Sequence, residues 1–241
     1  MADMHETEKK MICFAHRGAS GHAPENTLLA IQKALDMGSD WIEIDVFCVD
    51  KELVVIHNER LEHTTNGTGY VWDQTLDQLR SLDAGKGQRI PLLQEVFDLV
   101  KCRAGINIEL KASGTAAPVV SMVENYVTCH NWRYDQVLVS SFNHHELVAL
   151  KTLNPKIKIA PIIAGLPLHY ARFAEAMGAY SVHISLGFVN RQFVEDAHNR
   201  GLKVFVYTAN HTDDIKRMAK IGVDGIFTNF PELICKKNIS L

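Results

Sequence analysis

Trp41-Ile42-Glu43-Ile44-Asp45-Val46 reads as one buried strand that carries two carboxylates. β-Branched and aromatic residues suit a pleated backbone. A run that is nearly all apolar is expected where both faces of a parallel sheet are covered. Glu43 and Asp45 stand two apart and so project to the same side of the strand. Similar short runs recur along the chain, at Met11–Ala15, Leu53–Ile56, Ile106–Leu110, Val137–Val139, Ile157–Ala160, Tyr180–His183, Val204–Val206 and Gly225–Phe227. Helical patterns separate them, at Glu25–Met37, Leu92–Lys101, Val119–Cys129, His144–Leu153, Leu168–Met177, Arg191–Asn199 and Asp213–Lys220. Glycine precedes several later strands (Gly105, Gly178, Gly201, Gly222), where it is expected to stop the preceding helix. Strands that alternate with helices predict βαβ units and a parallel sheet. About eight such units predict an α/β (β/α)8 TIM barrel, taken as a single domain over residues 1–241. The rival architecture is an open doubly wound sheet. The chain has neither a G-x-G-x-x-G after its first strand nor a G-x-x-x-x-G-K-[ST], which weighs against nucleotide binding. Asn58 to Ile90 breaks the rhythm: it is polar, turn-rich and weakly helical only at Leu76–Leu82, and is expected to be an insertion over the barrel mouth.

The chain has 241 residues, 46% hydrophobic and 22% charged, with a net charge of −3 from 25 basic and 28 acidic residues. That composition excludes intrinsic disorder. The balanced charge gives no broad field for nucleic acid or anionic lipid, so an anionic ligand must be held by a few local cations. The five cysteines are odd in number and form no C-x-x-C pair. The opening ten residues are mixed in charge, and the apolar run after them is too short for a signal peptide. No stretch is long enough to span a membrane. A cytoplasmic home is expected, and the sequence gives no oligomeric state.

In such a barrel, catalytic groups gather at the carboxyl ends of the strands. The first run ends in His16-Arg17-Gly18, the second carries Glu43 and Asp45, the short run Leu53–Ile56 is followed by His57, and Ile106–Leu110 carries Glu109 with Lys111 two residues on. Three ionised carboxylates at one mouth must take up protons or hold a cation. Oxygen donors alone suit Mg²⁺ or Ca²⁺ rather than Zn²⁺. Arg17 and Lys111 suit a phosphate, as a planar fork and a point charge. His16 and His57 can exchange protons near neutral pH. Together these residues predict metal-assisted phosphoryl chemistry. The other histidines, His183 among them, have no such placement and are expected to be structural or exposed.

The segments A-H-R-G-A-S-G-H-A-P-E-N-T-L-L-A, W-I-E-I-D-V, V-V-I-H-N-E-R-L-E-H-T-T-N-G-T-G, I-N-I-E-L-K, V-S-S-F-N-H and D-G-I-F-T-N-F-P occur in order from about Ile12 to Pro231. In this the chain closely resembles the glycerophosphodiester phosphodiesterase family. The resemblance implies a (β/α)8 barrel with a small insertion after the second strand region. It also implies hydrolysis of deacylated phospholipids, such as glycerophosphocholine or glycerophosphoethanolamine, to sn-glycerol 3-phosphate and an alcohol. It makes His16 and His57 the acid–base pair, and Glu43, Asp45 and Glu109 the ligands of one divalent cation, Mg²⁺, Ca²⁺ or Mn²⁺. It makes Arg17 and Lys111 the phosphate contacts. Glu25 and Asn26 of P-E-N-T are expected to cap and support the first loop, with reach into the site left open for Asn26. Water and the glycerol 2-hydroxyl both remain possible nucleophiles. The chain departs from the usual pattern at Asn58, Tyr207 and Asn229, where aspartate, tryptophan and aspartate are usual. The alternatives are a lysophospholipase D-like or sphingomyelinase D-like enzyme with an apolar rim from Leu166, Pro167, Leu168, Phe188 and Val189, and a non-catalytic phosphodiester-binding protein.

Overall fold

A computed structural model describes residues 11–235. The mixed-charge opening segment and His5 lie outside them. The strands are β1 (Ile12–His16), β2 (Trp41–Val49), β3 (Glu52–Val55), β4 (Gly105–Leu110), β5 (Val137–Ser141), β6 (Lys158–Ile163), β7 (Ser181–Ser185), β8 (Lys203–Tyr207) and β9 (Gly225–Thr228). Eight of these pair in parallel in the order β1-β9-β8-β7-β6-β5-β4-β2, and β2 returns to β1 to close the ring. The closed ring rules out the open doubly wound sheet. The helices between strands are α1 (Leu28–Asp36), α2 (Leu76–Ser81), α3 (Leu93–Val100), α4 (Ala116–Cys129), α5 (His144–Leu153), α6 (Arg172–Ala176), α7 (Arg191–Asn199) and α8 (Thr212–Ile221), with a final turn α9 (Glu232–Cys235). The molecule is a TIM barrel.

Register explains which side chains meet inside. Phe14 lies beside Phe227 and Trp41, and its ring stands 4.5 Å from Phe227 and 4.7 Å from Phe205. With Leu138 and Ala160 this aromatic layer plugs the barrel's lower half. One step up, His16 pairs with Glu43, and Glu43 with Asn107; a step higher, Asp45 pairs with Glu109. The period of two thus carries both carboxylates of β2 and one of β4 to the open end.

The strand that precedes His57 is not a barrel strand. β2 runs on past the mouth, and β3 turns back along it in antiparallel register, Val46 opposite Val55. The Ile56 amide donates to the Asp45 carbonyl at 3.0 Å, so the returning arm delivers His57 to the level of Asp45. The helices also differ from expectation at their starts. The first opens at Leu28 rather than Glu25, because Asn26 has a positive φ of 56° and Thr27 caps the Ala30 amide at 3.2 Å. The sixth keeps only Arg172–Ala176. Gly105 does not stop α3, whose end is made by left-handed Lys101 and Cys102. It opens β4 instead, where a Cβ would stand 2.5 Å from the Trp41 ring.

Candidate active site

All seven side chains singled out in the sequence converge at the carboxyl end of the barrel. The β1 loop sets the first two. Arg17 sits in the left-handed region at φ 56°, which turns its amide onto Glu43 Oε2 at 2.8 Å. Gly18 follows at φ +76°, with the Ala30 carbonyl carbon only 2.6 Å from where a Cβ would be. The first turn of α1 therefore packs directly on the H-R-G backbone. The Arg17 guanidinium donates to Glu25 Oε1 at 2.8 Å and lies 3.4 Å from Asp45 Oδ2. Asn26 does reach the site: its Nδ2 donates to Asp45 Oδ2 at 2.8 Å. On the other side Lys111 Nζ donates to Glu109 Oε1 at 2.7 Å and stands 3.5 Å from Asp45 Oδ1.

Glu43, Asp45 and Glu109 each offer an oxygen within 4.8 Å of the other two. Asp45 Oδ1 is fully buried and accepts no hydrogen bond. Burial, then the negative charge of Asp45 and Glu109, pushes Glu43 well above the usual carboxylate range. Burial and Asp45 push Glu109 up to about 7. Burial would raise Asp45 as well, but Lys111, Arg17 and His57 hold it below its ordinary value. A compact, all-oxygen, proton-hungry cluster with an unsatisfied buried oxygen fits a hard divalent cation.

Two histidines flank the cluster, each oriented by an amide. His16 Nδ1 lies 2.7 Å from Asn229 Oδ1, and His57 Nδ1 lies 3.2 Å from Asn58 Oδ1. An amide oxygen only accepts, so each Nδ1 carries the hydrogen and each Nε2 is left basic. Burial, then Arg17, lowers His16 to about 4. Burial likewise lowers His57, against the pull of Asp45. The substitutions at Asn58 and Asn229 therefore preserve orientation while withholding charge.

The pocket beside His16, Glu43 and Glu109 is a cavity of about 30 Å³ that opens to solvent, with Asn107, Ser140, Phe142, Ile162, His183 and Tyr207 along its walls. The sequence reading gives Asn107 and Phe142 no role, whereas His183 is expected to be structural and is so. Asn107 precedes Glu109 by two on one strand face, and Phe142 stands in the segment V-S-S-F-N-H just after β5; these are the signals that mark them. His183 is a core residue, 1% exposed among Phe14, Phe205 and Phe227, and burial lowers it to about 3. Of the apolar rim, Leu166, Leu168 and Phe188 are exposed, whereas Val189 is packed in the core.

Comparison with known proteins agrees with this geometry. Residues 16–233 match the model of the glycerophosphoryl diester phosphodiesterase family. The chain is 38% identical to a glycerophosphodiester phosphodiesterase of Caldanaerobacter subterraneus subsp. tengcongensis, over 93% of this chain and 96% of that protein. It is 39% identical to one from Bacillus altitudinis, over 92% and 96%. A solved phosphodiesterase of Oleispira antarctica, in complex with the product sn-glycerol-3-phosphate, superposes with a TM-score of 0.85 at 32% identity, covering 92% of this chain and 94% of that one. The chain belongs to the glycerophosphoryl diester phosphodiesterase family.

Proposed function

We propose that this glycerophosphodiester phosphodiesterase cleaves small deacylated phospholipids, glycerophosphocholine and glycerophosphoethanolamine, to sn-glycerol 3-phosphate and the free alcohol, and that it needs one divalent cation, Mg²⁺ or Ca²⁺, with Mn²⁺ also suited. The observation that carries this reading is the buried carboxylate trio with its unsatisfied Asp45 oxygen, set between two cations and two histidines. Glu25, Glu43, Asp45 and Glu109 against Arg17 and Lys111 leave two excess negative charges, which one divalent cation cancels. Glu43, Asp45 and Glu109 would hold the cation, which supplies Lewis acidity toward the phosphate oxygens.

The chain's own side chains do the rest. Arg17 and Lys111 draw the phosphate to the carboxylate edge and fix its orientation. One histidine, neutral at Nε2, accepts the proton of the attacking hydroxyl, and the other, entering as imidazolium, gives its Nε2 proton to the departing alkoxide. Glu25 and Asn26 hold Arg17 and Asp45 in register. A cytoplasmic location is the reading we favour, since the five cysteines are odd in number and form no C-x-x-C pair. Among the described residues no helix is long and apolar enough to cross a membrane.

The test is release of sn-glycerol 3-phosphate from both substrates with Mg²⁺, Ca²⁺ or EDTA. Release should stop with EDTA and in His16→Ala. Metal-independent release would overturn the cation reading, and no release from either substrate would overturn the substrate reading. The exposed Leu166, Leu168 and Phe188 favour lysophospholipid as the second substrate to try.

A further inference from the structure

The outer wall of the pocket, across from the carboxylates, takes no part in the chemistry described so far. Phe142, in the loop after β5, and Tyr207, the last residue of β8, meet edge to face with ring centroids 6.0 Å apart and planes at 87°. They form two sides of a corner in the same pocket as His16, Glu43 and Glu109, with Ile162 beside them. Phe142 is 51% exposed, so its ring is not committed to the core. The Tyr207 hydroxyl donates to the Ile163 carbonyl at 2.9 Å, which fixes that ring and uses its donor.

This wall offers π faces and apolar groups, and the hydroxyl on it is already engaged. A polyol held there would leave its own hydroxyls unpaired. A trimethylammonium group has no N–H or O–H to donate and is attracted to aromatic faces. Hydrogen-bonding groups are plentiful instead on the far side of Arg17. There a cleft of about 450 Å³ is lined by Glu25, Thr64, Thr65, Asn66 and Asp83, and Glu25 is tied to Arg17 at 2.8 Å. The two ends of a glycerophosphodiester thus meet opposite chemistries across the phosphate site.

We infer that Phe142 and Tyr207 form a recognition corner for a quaternary ammonium headgroup and make the choline ester the preferred glycerophosphodiester. This rests on the hydrolase reading of the same site. The experiment compares kcat and KM for glycerophosphocholine, its uncharged 3,3-dimethylbutyl isostere and glycerophosphoglycerol, in the wild type, Phe142→Leu, Phe142→Tyr and Tyr207→Leu. The wild type should favour choline over the isostere by about fivefold to thirtyfold in kcat/KM, mainly through KM, as expected for a partly desolvated cation on aromatic faces. Phe142→Leu and Tyr207→Leu should erase that ratio, and Phe142→Tyr should keep it. Equal use of choline ester and isostere by the wild type, or an unchanged ratio in both leucine variants, would overturn the inference alone, provided glycerophosphoglycerol is still cleaved. No cleavage of any of the three would overturn the hydrolase reading with it.

Discussion

Asn58 and Asn229 show how one atom sets the poise of a histidine. Their amide oxygens orient His57 and His16 through Nδ1 without adding the negative charge that would favour imidazolium. Both histidines consequently lie below their ordinary value, chiefly through burial. Replacing Asn58 with aspartate puts a carboxylate against His57 Nδ1 and should raise its pKa. A raised pKa moves whichever limb of the pH–rate profile His57 governs toward higher pH. The expected outcome for Asn58→Asp is a shift of about one unit in one limb of kcat/KM, with the other limb in place. A profile that superposes on the wild type would mean that Asn58 does not address His57 in the working enzyme. Asn58→Ala removes a hydrogen bond that favours the imidazolium, so it should move that limb slightly toward lower pH and lower kcat as the ring loses its orienting contact.

At the scale of elements, the turn from β1 into α1 is the most tightly specified piece of the site. It holds two left-handed residues other than glycine, Arg17 and Asn26, and each serves the carboxylates, through the Arg17 amide and the Asn26 side chain. Gly18→Ala adds a Cβ against the Ala30 backbone at φ +76°, and neither side is a flexible side chain that could yield. It should cost about 3 kcal/mol, from overpacking together with backbone strain. For a chain of this size that lowers Tm by about 6–12 °C, readable by thermal unfolding, with a fall in kcat as Arg17 leaves register. An unchanged Tm would show that the loop can move off the helix at little cost. The same turn marks what the sequence could tell. Apolar strand runs and helical periods were legible because a parallel barrel buries both strand faces, and E-x-D and E-x-K were legible because a strand repeats every two residues. The start of α1 turns on one residue: Thr27 caps the Ala30 amide and Asn26 before it is left-handed, so the helix opens at Leu28 and not at Glu25. The direction of β3 was not legible: Leu53–Ile56 is as apolar as a barrel strand, and its tight connection to β2 at Asp50 and Lys51 is what turns it back. His57 reaches the site all the same, because the returning strand ends at the level of Asp45.

For the whole molecule, two buried sets of titratable groups push stability in opposite directions with pH. His183 is neutral in the barrel core, lowered to about 3, and takes up a proton near 6.5 only when unfolded. The unfolded state therefore binds more protons between those values, and stability falls as pH drops from about 6.5, by up to about 1.4 kcal/mol per unit. His183→Gln should lose stability at pH 7.5 yet show a shallower decline to pH 5 in urea unfolding. Parallel pH dependences would mean that the site is hydrated and can charge. The carboxylates act the other way. Glu109 at about 7 and the raised Glu43 bind protons in the folded chain that an unfolded carboxylate sheds near its ordinary value, so the cation-free protein is penalised as pH rises through 7. A divalent cation must displace those protons, so its affinity should climb with pH over the same range. The stabilisation by 5 mM Mg²⁺ or Ca²⁺, about 1–3 kcal/mol by mass action if the site binds tenfold to a hundredfold below that concentration and read as a rise in Tm, should be small at pH 5.5 and largest near pH 8. Glu43→Gln removes one buried like charge. Without cation it should be more stable than the wild type at pH 8, while its response to Mg²⁺ or Ca²⁺ and its hydrolysis of glycerophosphodiesters both collapse. A Tm increment that is flat with pH, or as large in Glu43→Gln as in the wild type, would place the cation somewhere other than these three carboxylates. A variant that melts higher and hydrolyses nothing would identify the charge crowding at the mouth as a cost in stability that the fold carries for binding its cation.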